Sequence, residues 1–276
     1  MIFELKANQY DKVRPLIQEL KHNLVIWSIL DGNTRGRVYS DDLVEPRRAL
    51  VWNEMDTLLL EGDAQNEEFN LAIHELIGET LLPEAQERGI PQFNLSYAPA
   101  DWEAKMGVVL QGLQAQRLTQ RYFHFEGLRY DWRAHLPPGA ALRKMDQQLL
   151  TNTSLQNYAQ MMGWVRSFWG DPHDFTRKGI GYCLLEGEAA ASWCLSVYVS
   201  DKHFEFGVAT SPTYQNRGYA TLAAAACMEY CVNNQITPHW QCSAGNQASL
   251  AVADKVGFRP AGEYPVYRIE IPPSME

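Results

Sequence analysis

Apolar residues recur along this chain with two spacings, and each spacing predicts one kind of element. Residues 8–20 carry apolar side chains at positions 13, 16, 17 and 20, the spacing of a helix that buries one face. The apolar run 24–30 ends at Asp31-Gly32-Asn33, which favours a strand followed by a turn. The rest of the first half predicts helices over 67–82 and 100–110, and strands over 49–52, 57–60, 92–97 and 121–125.

Both spacings break at residues 136–140, Leu-Pro-Pro-Gly-Ala. Proline has no backbone N–H to donate, so neither a helix nor a sheet ladder continues through this segment. We therefore predict a domain boundary here, with one α/β domain over 1–138 and a second domain over 139–276. The second domain is predicted to hold helices over 143–150, 153–168, 218–233 and 247–256, and strands over 181–185, 190–198, 204–209, 239–243 and around 266–271.

Interleaved strands and helices indicate an α/β or α+β layer fold. The predicted elements follow a similar order in the two halves, namely a helix, strands, a helix, a strand, a second helix and another strand. We infer from this order that the first half is a diverged copy of the second, although the residues themselves are not alike.

The negative charge of the chain is concentrated in its first half. Residues 1–140 hold 14 basic and 21 acidic side chains, and residues 141–276 hold 10 and 12, for a formal charge of −9. Ten carboxylates and no Lys or Arg lie between Arg48 and Arg88. Such a stretch repels phosphate, so nucleic acid and anionic membranes are poor partners. It is compatible with a cationic small molecule, although a solvated face that aids solubility is the simpler interpretation.

The cysteines and the N-terminus bear on the compartment. All five cysteines lie in the second half, an odd number without the regular spacing of a disulfide framework. Cys227 and Cys231 share a predicted helix face, but no further Cys or His stands near them at ligand spacing, so we expect buried thiols and no metal. The first residues lack an apolar signal core, and no uncharged apolar run nears the roughly 18 residues of a membrane span. A cytoplasmic protein is therefore expected.

The segment from His203 to Thr221 carries the clearest chemical signal. A predicted strand ends there, a turn follows, and Gly218 opens an Ala-rich helix. Free N–H groups and the macrodipole make a helix N-terminus an anion site, so a diphosphate is expected on the backbone amides of residues 216–220. Gly218 allows close backbone approach, and Ala220 leaves the start of the helix unobstructed.

Two motifs in this half resemble one family. Gln215, Gly218 and Ala220 fit the pattern Q/R-x-x-G-x-G/A, which resembles the pyrophosphate loop of the GNAT superfamily of N-acetyltransferases. About thirty residues later, Asn246 and the run Lys255-Val256-Gly257-Phe258 resemble the residues that begin and end the next helix in that superfamily. The two motifs together identify the second half as GNAT-like, which implies a mixed sheet flanked by helices there and a diverged copy of the same α/β fold in the first half.

A finer pattern points to one branch of the superfamily. Pro238-x-Trp240-x-Cys242 is similar to a branch that includes the zwittermicin A resistance acetyltransferase. Trp169-Gly170, Phe175 and Gly179-x-Gly181 fit the same branch, and the similarity extends over roughly residues 141–276, about half the chain.

The resemblance implies acetyl-CoA as co-substrate, with no metal. Its pantetheine arm would run between the strands that end at Val208 and Ser243, which splay apart. The implied contacts come from the strand end, the loop, the helix start and the next helix, namely Val208, Ala209, Thr210, Gln215, Asn216, Arg217, Gly218, Tyr219, Ala220, Thr221, Asn246 and Ser249. A backbone amide at the strand end would stabilise the oxyanion of the acyl-transfer step.

The resemblance also implies a carboxylate base at Glu205, a position where many GNAT enzymes carry one. Because Phe204 and Phe206 flank it, we expect this carboxylate to have a raised pKa, as a base working near neutral pH requires. Strand alternation puts Glu205 on the face of Gly207. The alternative is an exposed strand glutamate paired with a surface lysine such as Lys202.

One family feature is missing from the sequence. In many GNAT enzymes a tyrosine seven residues after the Asn protonates the leaving thiolate, whereas here that position is Ala253. Water or the Ser249 hydroxyl could serve instead, although Ser249 fits a cofactor contact or a helix-start hydrogen bond better.

The leading prediction is an acetyl-CoA-dependent N-acetyltransferase that acts by direct attack on the amine of a small, cationic acceptor. The acidic first half would help to shape the acceptor site, and the chain could form a homodimer. Two alternatives stay open: a non-catalytic acyl-CoA-binding protein, suggested by Ala253, and a scaffold or dimerisation module that binds no coenzyme A.

Overall fold

The computed structural model describes residues 1–273. In chain order the strands are β1 (Phe3–Glu4), β2 (Arg37–Ser40), β3 (Arg48–Trp52), β4 (Thr57–Gly62), β5 (Gln92–Ala98), β6 (Ala115–Phe125), β7 (Ala140–Lys144), β8 (Gly181–Glu186), β9 (Ala189–Ser200), β10 (His203–Thr210), β11 (Thr237–Ser243) and β12 (Phe258–Glu270). The α-helices are α1 (Leu24–Leu30), α2 (Glu67–Leu76), α3 (Leu82–Glu87), α4 (Met106–Val109), α5 (Gln147–Leu150), α6 (Tyr158–Trp169), α7 (Pro172–Lys178), α8 (Tyr219–Asn233) and α9 (Gln247–Val256).

The described residues form two compact units. Unit 1 contains Met1–Gln120 and the described residues from Tyr264 onward, and unit 2 contains Arg121–Glu263. These limits differ from the predicted domains, 1–138 and 139–276, because Val266–Glu270 of β12 pairs with β5 of unit 1. The domain boundary at 138 stays a prediction, since packing alone does not define a domain.

Unit 1 is built on β1 to β5, which lie side by side in chain order. Their pairs are antiparallel except for β4 and β5, which run parallel. The helical stripe predicted over 67–82 is the source of its core: Phe69, Ile73, Ile77 and Leu81 recur every four residues and are fully buried. They belong to the same cluster as Leu58 and Leu60, alternate residues of β4 that share one face of the sheet.

Unit 2 repeats this strand order. β7 to β11 lie side by side in chain order, antiparallel except for the parallel pair β10 and β11. In each unit helical segments connect the two parallel strands along the chain: α2 and α3 in unit 1, and α8 in unit 2. The predicted mixed α/β fold is confirmed, and the shared strand order is the pattern that duplication of one fold produces.

Three local predictions were wrong. Residues 24–30 form helix α1 instead of a strand: six of its seven residues are buried, and a short run that is apolar on every side has no period to reveal its type. Residues 8–20 fold into short 3₁₀ turns instead of an α-helix. The helix predicted over 143–150 is shorter, because Ala140–Lys144 pairs with β8 as an edge strand before α5 begins.

Helix α8 is buried along most of its length. Ten of its residues are buried, and the run Ala223–Ala226 lets it pack closely on the sheet, where it contacts β8, β9 and β10. The buried thiols predicted at Cys227 and Cys231 are confirmed. Cys183 and Cys194 are buried as well, Cys242 is half-buried, and all five thiols are free. Within residues 1–273 no helix has the length and apolar character needed to cross a bilayer.

Candidate functional site

A cavity of about 820 Å³ opens in unit 2 where β10 and β11 separate. The parallel register joins His203 to Thr237, Phe204 to Pro238 and Glu205 to His239, and in the described residues it goes no further. Beyond these pairs both strands border the cavity, β10 through Phe206–Thr210 and β11 through Trp240–Ser243. The sequence-based expectation of two splayed strands thus matches the register of the sheet.

Val208, Ala209 and Thr210 lie on the β10 side of the cavity. One edge of β10 is used for pairing with β9, and the described register leaves the opposite edge of these three residues facing the opening. Ser192 of β9 fixes the strand end, because its hydroxyl donates to the Ala209 carbonyl at 2.8 Å and also hydrogen-bonds Thr210 Oγ1 at 2.8 Å. The strand end therefore presents a rigid row of backbone polar groups to the cavity.

The loop between β10 and α8 has the conformation of an anion cradle. Asn216 and Gly218 both adopt positive φ, at 62° and 77°, and Gly218 caps helix α8. Alternating helical and left-handed residues turn successive N–H groups to one side. A Cβ built at Gly218 would meet no protein atom within 4 Å, so the space above this glycine is kept open. Gln215, Tyr219, Ala220 and Thr221 also line the cavity.

Arg217 is the one implied contact residue that does not line the cavity. Its Nη1 donates to both carboxylate oxygens of Glu186, at 3.2 and 3.3 Å, and its guanidinium lies 5.4 Å from the ring centre of Tyr214. The Tyr219 hydroxyl donates to the same carboxylate, and this bond raises the pKa of Tyr219. The structure thus keeps Arg217 beside the loop, on the outer surface.

Asn246 and Ser249 complete the opposite wall. The Asn246 side chain caps α9 by accepting the Ser249 N–H at 3.1 Å, and the Ser249 hydroxyl accepts from Trp240 Nε1 at 3.0 Å. Cys242 lies beside them, and burial raises the pKa of its thiol although a hydrogen bond to Ser249 opposes that rise. Ala253 is fully buried. The fold therefore uses Ser249 as a wall residue with a fixed hydroxyl.

Glu205 lies where the paired part of β10 and β11 ends. Its side chain is 7% exposed, so the alternative of an exposed strand glutamate does not describe it. Its Oε2 accepts from Gln241 Nε2 at 2.9 Å, and Gln241 lines the cavity although Glu205 itself does not. Two residues further along β10, a Cβ at Gly207 would touch the ring of Trp164 at 2.9 Å, so the Trp164 ring borders this end of the cavity.

Gln241 and Trp164 are the wall residues that the sequence left least defined. Gln241 could have been found from strand alternation, because His239, Gln241 and Ser243 are polar at every second position of β11. Trp164 belongs to the helical stripe of α6, and a large aromatic residue at that spacing predicts core as readily as a wall. Within residues 1–273 no three or more His, Cys, Asp or Glu side chains are grouped to hold a metal ion.

The comparisons with known proteins agree with this geometry. The family model described as GNAT acetyltransferase matches residues 14–267, almost the whole chain. The chain belongs to the GNAT acetyltransferase family. A protein of Bacillus subtilis (strain 168), named as the uncharacterized N-acetyltransferase YdfB, is 25% identical over 96% of this chain and 97% of its own length. These two matches show an N-acetyltransferase; GNAT members use acetyl-CoA as co-substrate.

Solved GNAT structures share the fold of the whole chain. A GCN5-related N-acetyltransferase-like protein from Streptococcus suis superposes with a TM-score of 0.71 at 21% identity, covering 96% of this chain and 99% of that one. A tandem GNAT protein from the clavulanic acid biosynthesis pathway superposes with a TM-score of 0.57 at 14% identity, covering 100% and 99%. The zwittermicin A resistance branch stays a prediction.

Proposed function

We propose that this GNAT protein transfers the acetyl group of acetyl-CoA to the amine of a small, cationic acceptor by direct attack, with Glu205 as the base. One observation carries the proposal. The buried carboxylate of Glu205 lies at the point where β10 and β11 part, and Gln241 of the cavity wall donates to it at 2.9 Å. A general base must lie near the point where the acetyl group meets the acceptor amine. In the proposed arrangement that point is where β10 and β11 begin to part.

The residues around the cavity fit coenzyme A. Its diphosphate would be held by the N–H groups of residues 216–220, which the positive φ of Asn216 and Gly218 and the start of α8 orient. Its pantetheine amides would bond the free edge of Val208, Ala209 and Thr210, and Asn246 and Ser249 would border it from α9. Lys255, also on the wall, adds a positive charge that suits phosphate. Arg217 would join them only by leaving Glu186.

The acyl transfer follows from these positions. An acceptor arrives as an ammonium and must lose a proton before its nitrogen can attack, and the Glu205 carboxylate takes that proton directly or through water. The nitrogen then bonds to the acetyl carbon and the bond from that carbon to the sulfur breaks. An N–H group of the β10 edge would donate to the acetyl oxygen as negative charge develops on it, an effect worth about 3 kcal/mol per donor.

The end of the cavity that Trp164 borders, next to Glu205, favours a cationic acceptor. The ring of Trp164 lines the cavity and packs edge-on against Phe168, which packs edge-on against Tyr198. A cation bound over an aromatic face gains about 0.5–2 kcal/mol, and the carboxylate of Glu205 attracts it further. These groups together support a small, cationic amine as the acceptor.

The test is thiol release from acetyl-CoA over a library of amines, for the wild-type protein, Glu205→Gln and the control Glu188→Gln. The control removes an exposed carboxylate from the turn between β8 and β9. We expect turnover with cationic amines, a fall in kcat of about 10²- to 10⁴-fold in Glu205→Gln, and wild-type rates in the control. Wild-type rates in Glu205→Gln would remove this residue as the base.

Two further outcomes distinguish the alternatives. Binding of acetyl-CoA with no thiol released for any amine would support a non-catalytic acyl-CoA-binding protein. A thermal shift experiment addresses the scaffold hypothesis, because acetyl-CoA at 100 times its dissociation constant should stabilise the protein by about 2.7 kcal/mol. No shift in melting temperature at millimolar acetyl-CoA would favour a scaffold.

A further inference from the structure

Two histidines extend the polar face that carries Glu205. His239 of β11 is the register partner of Glu205 on the adjacent parallel strand, so both side chains leave the sheet on the same face, about 5 Å apart at their Cα atoms. His203 lies two residues before Glu205 on β10, and its Nδ1 is 2.9 Å from Nε2 of His239. His239 is half-buried and His203 is exposed.

We propose that His239 and His203 carry the proton from Glu205 to solvent after each transfer. This inference rests on the proposed function, since it takes Glu205 as the base. The order of burial carries it: Glu205 is 7% exposed, the His239 ring is half-buried, and the His203 ring reaches water. Exposure therefore increases from Glu205 through its register partner His239 to His203, in the direction that leads from the cavity back to the start of β10.

A buried base needs such a path because it must be deprotonated again before the next turnover. Coenzyme A and an acceptor that fill the cavity would close the route from Glu205 through the cavity to water. Imidazole has an ordinary pKa near 6.5, so it both takes up and releases a proton close to neutral pH.

The other groups around Glu205 suit this task less well. Tyr198 of β9 is its register partner on the other side, but a phenol keeps its own proton at neutral pH and its oxygen is a poor acceptor of a second one. Gln241 donates to Glu205 and does not titrate. Trp164 and Phe168 of α6 are not titratable, and Asp201 and Lys202 stand in the exposed turn before β10.

The transfer balances as a relay between ring nitrogens. Glu205 gives its proton to Nδ1 of His239, the Nε2–H of His239 passes to Nδ1 of His203, and the Nε2–H of His203 goes to water. Each of the three protons moves by one step, so neither imidazole ring keeps a net charge. Both histidines then return to their starting tautomers by exchanging their remaining N–H protons with solvent. The 2.9 Å contact between the two rings is the middle link.

The test measures kcat at saturating acetyl-CoA and amine in dilute and in concentrated buffer, for His203→Gln, His239→Gln and the control His173→Gln. The control removes an exposed imidazole from α7. In dilute buffer we expect kcat of the two relay variants to fall about tenfold, less than the 10²- to 10⁴-fold loss expected for removal of the base itself. Added imidazole should restore kcat in His203→Gln in proportion to its concentration, which a structural role of the ring would not produce.

The outcomes separate the relay from the function on which it rests. If His203→Gln keeps the wild-type kcat in dilute buffer, or loses activity that imidazole does not restore while its melting temperature is unchanged, the relay is wrong. If Glu205→Gln is as active as wild type, the proposed base is wrong and the relay falls with it. A normal loss in Glu205→Gln together with buffer-independent histidine variants would overturn the relay alone.

Discussion

Glu205 and His239 form the last register pair between the parallel strands β10 and β11 of unit 2. In unit 1 the corresponding parallel strands, β4 and β5, stay paired over five positions, from Thr57 and Asn94 to Glu61 and Ala98. Three pairs followed by a separation leave a cleft between β10 and β11, whereas β4 and β5 stay closed against each other up to Ala98, the last residue of β5. The same strand order thus yields parted parallel strands in one unit and closed ones in the other.

We predict that one chain binds one molecule of acetyl-CoA. Besides its closed strands, unit 1 has only residues 63–66 between β4 and α2, and the first turn of α2 carries Glu67 and Glu68, which repel phosphate. The Asn66 side chain already accepts the Phe69 N–H at the start of that helix. Calorimetric titration should give a stoichiometry of one, and a value of two would contradict the prediction.

Gly218→Val tests which unit holds that molecule. Valine is strained at a φ of 77°, and its side chain would enter the open space above the loop, so we expect acetyl-CoA affinity to fall at least about tenfold, or 1.4 kcal/mol. Gly89→Val is the matched control, because Gly89 also has a positive φ, 68°, and open space, but lies in unit 1. Equal affinities in the two variants would place the diphosphate elsewhere.

Glu61 should make the stability of unit 1 depend on pH. Burial raises the pKa of this carboxyl to about 7 from an ordinary value of 4.5, although the Leu20 N–H donates to it at 3.0 Å. Between these values the folded chain binds more protons than the unfolded chain, so the free energy of unfolding falls as pH rises from about 4.5 to 7. The full change is about 3 kcal/mol, at 1.36 kcal/mol per pKa unit.

Urea unfolding at pH 5 and pH 8 measures this effect. Glu61→Gln keeps an oxygen that can accept the Leu20 N–H but cannot ionise, so we expect it to match wild type at pH 5 and to exceed it in stability at pH 8. Glu87→Gln, which neutralises an exposed carboxylate on α3, should retain the wild-type dependence. The same pH slope in Glu61→Gln and wild type would show that Glu61 does not titrate in this range.

Gly257 is required by packing as well as by conformation. Its φ is 112°, and a Cβ there would lie 1.9 Å from the carbonyl oxygen of Gly127. Gly139 has a comparable φ of 80° with no atom within 4 Å of a Cβ. We expect Gly139→Ala to cost about 1 kcal/mol of unfolding free energy and Gly257→Ala several times more. Thermal unfolding of both variants checks this, and equal losses would leave backbone strain as the sole cause.

The loop and the helix starts of the site could be predicted because their conformation depends on residues adjacent in sequence. The conformation of residues 210–221 depends on residues close in sequence: a strand, a turn and a glycine before an Ala-rich helix. Asn246 likewise caps its helix through Ser249, three positions away. Hydrogen bonds and torsional preferences of this range depend little on the rest of the protein. Eleven of the twelve implied contact residues therefore meet at one cavity.

What the sequence by itself determined was the mixed α/β fold, the repeated element order and the residues of the loop. Tertiary structure decided the rest, because it depends on contacts between distant segments. Register places Gln241 and His239 beside Glu205, a carboxylate of β8 holds Arg217 away from the cavity, and burial on every side makes residues 24–30 a helix. Whether two parallel strands stay paired or part is decided by the register between segments distant in sequence, and no spacing along the chain predicts it.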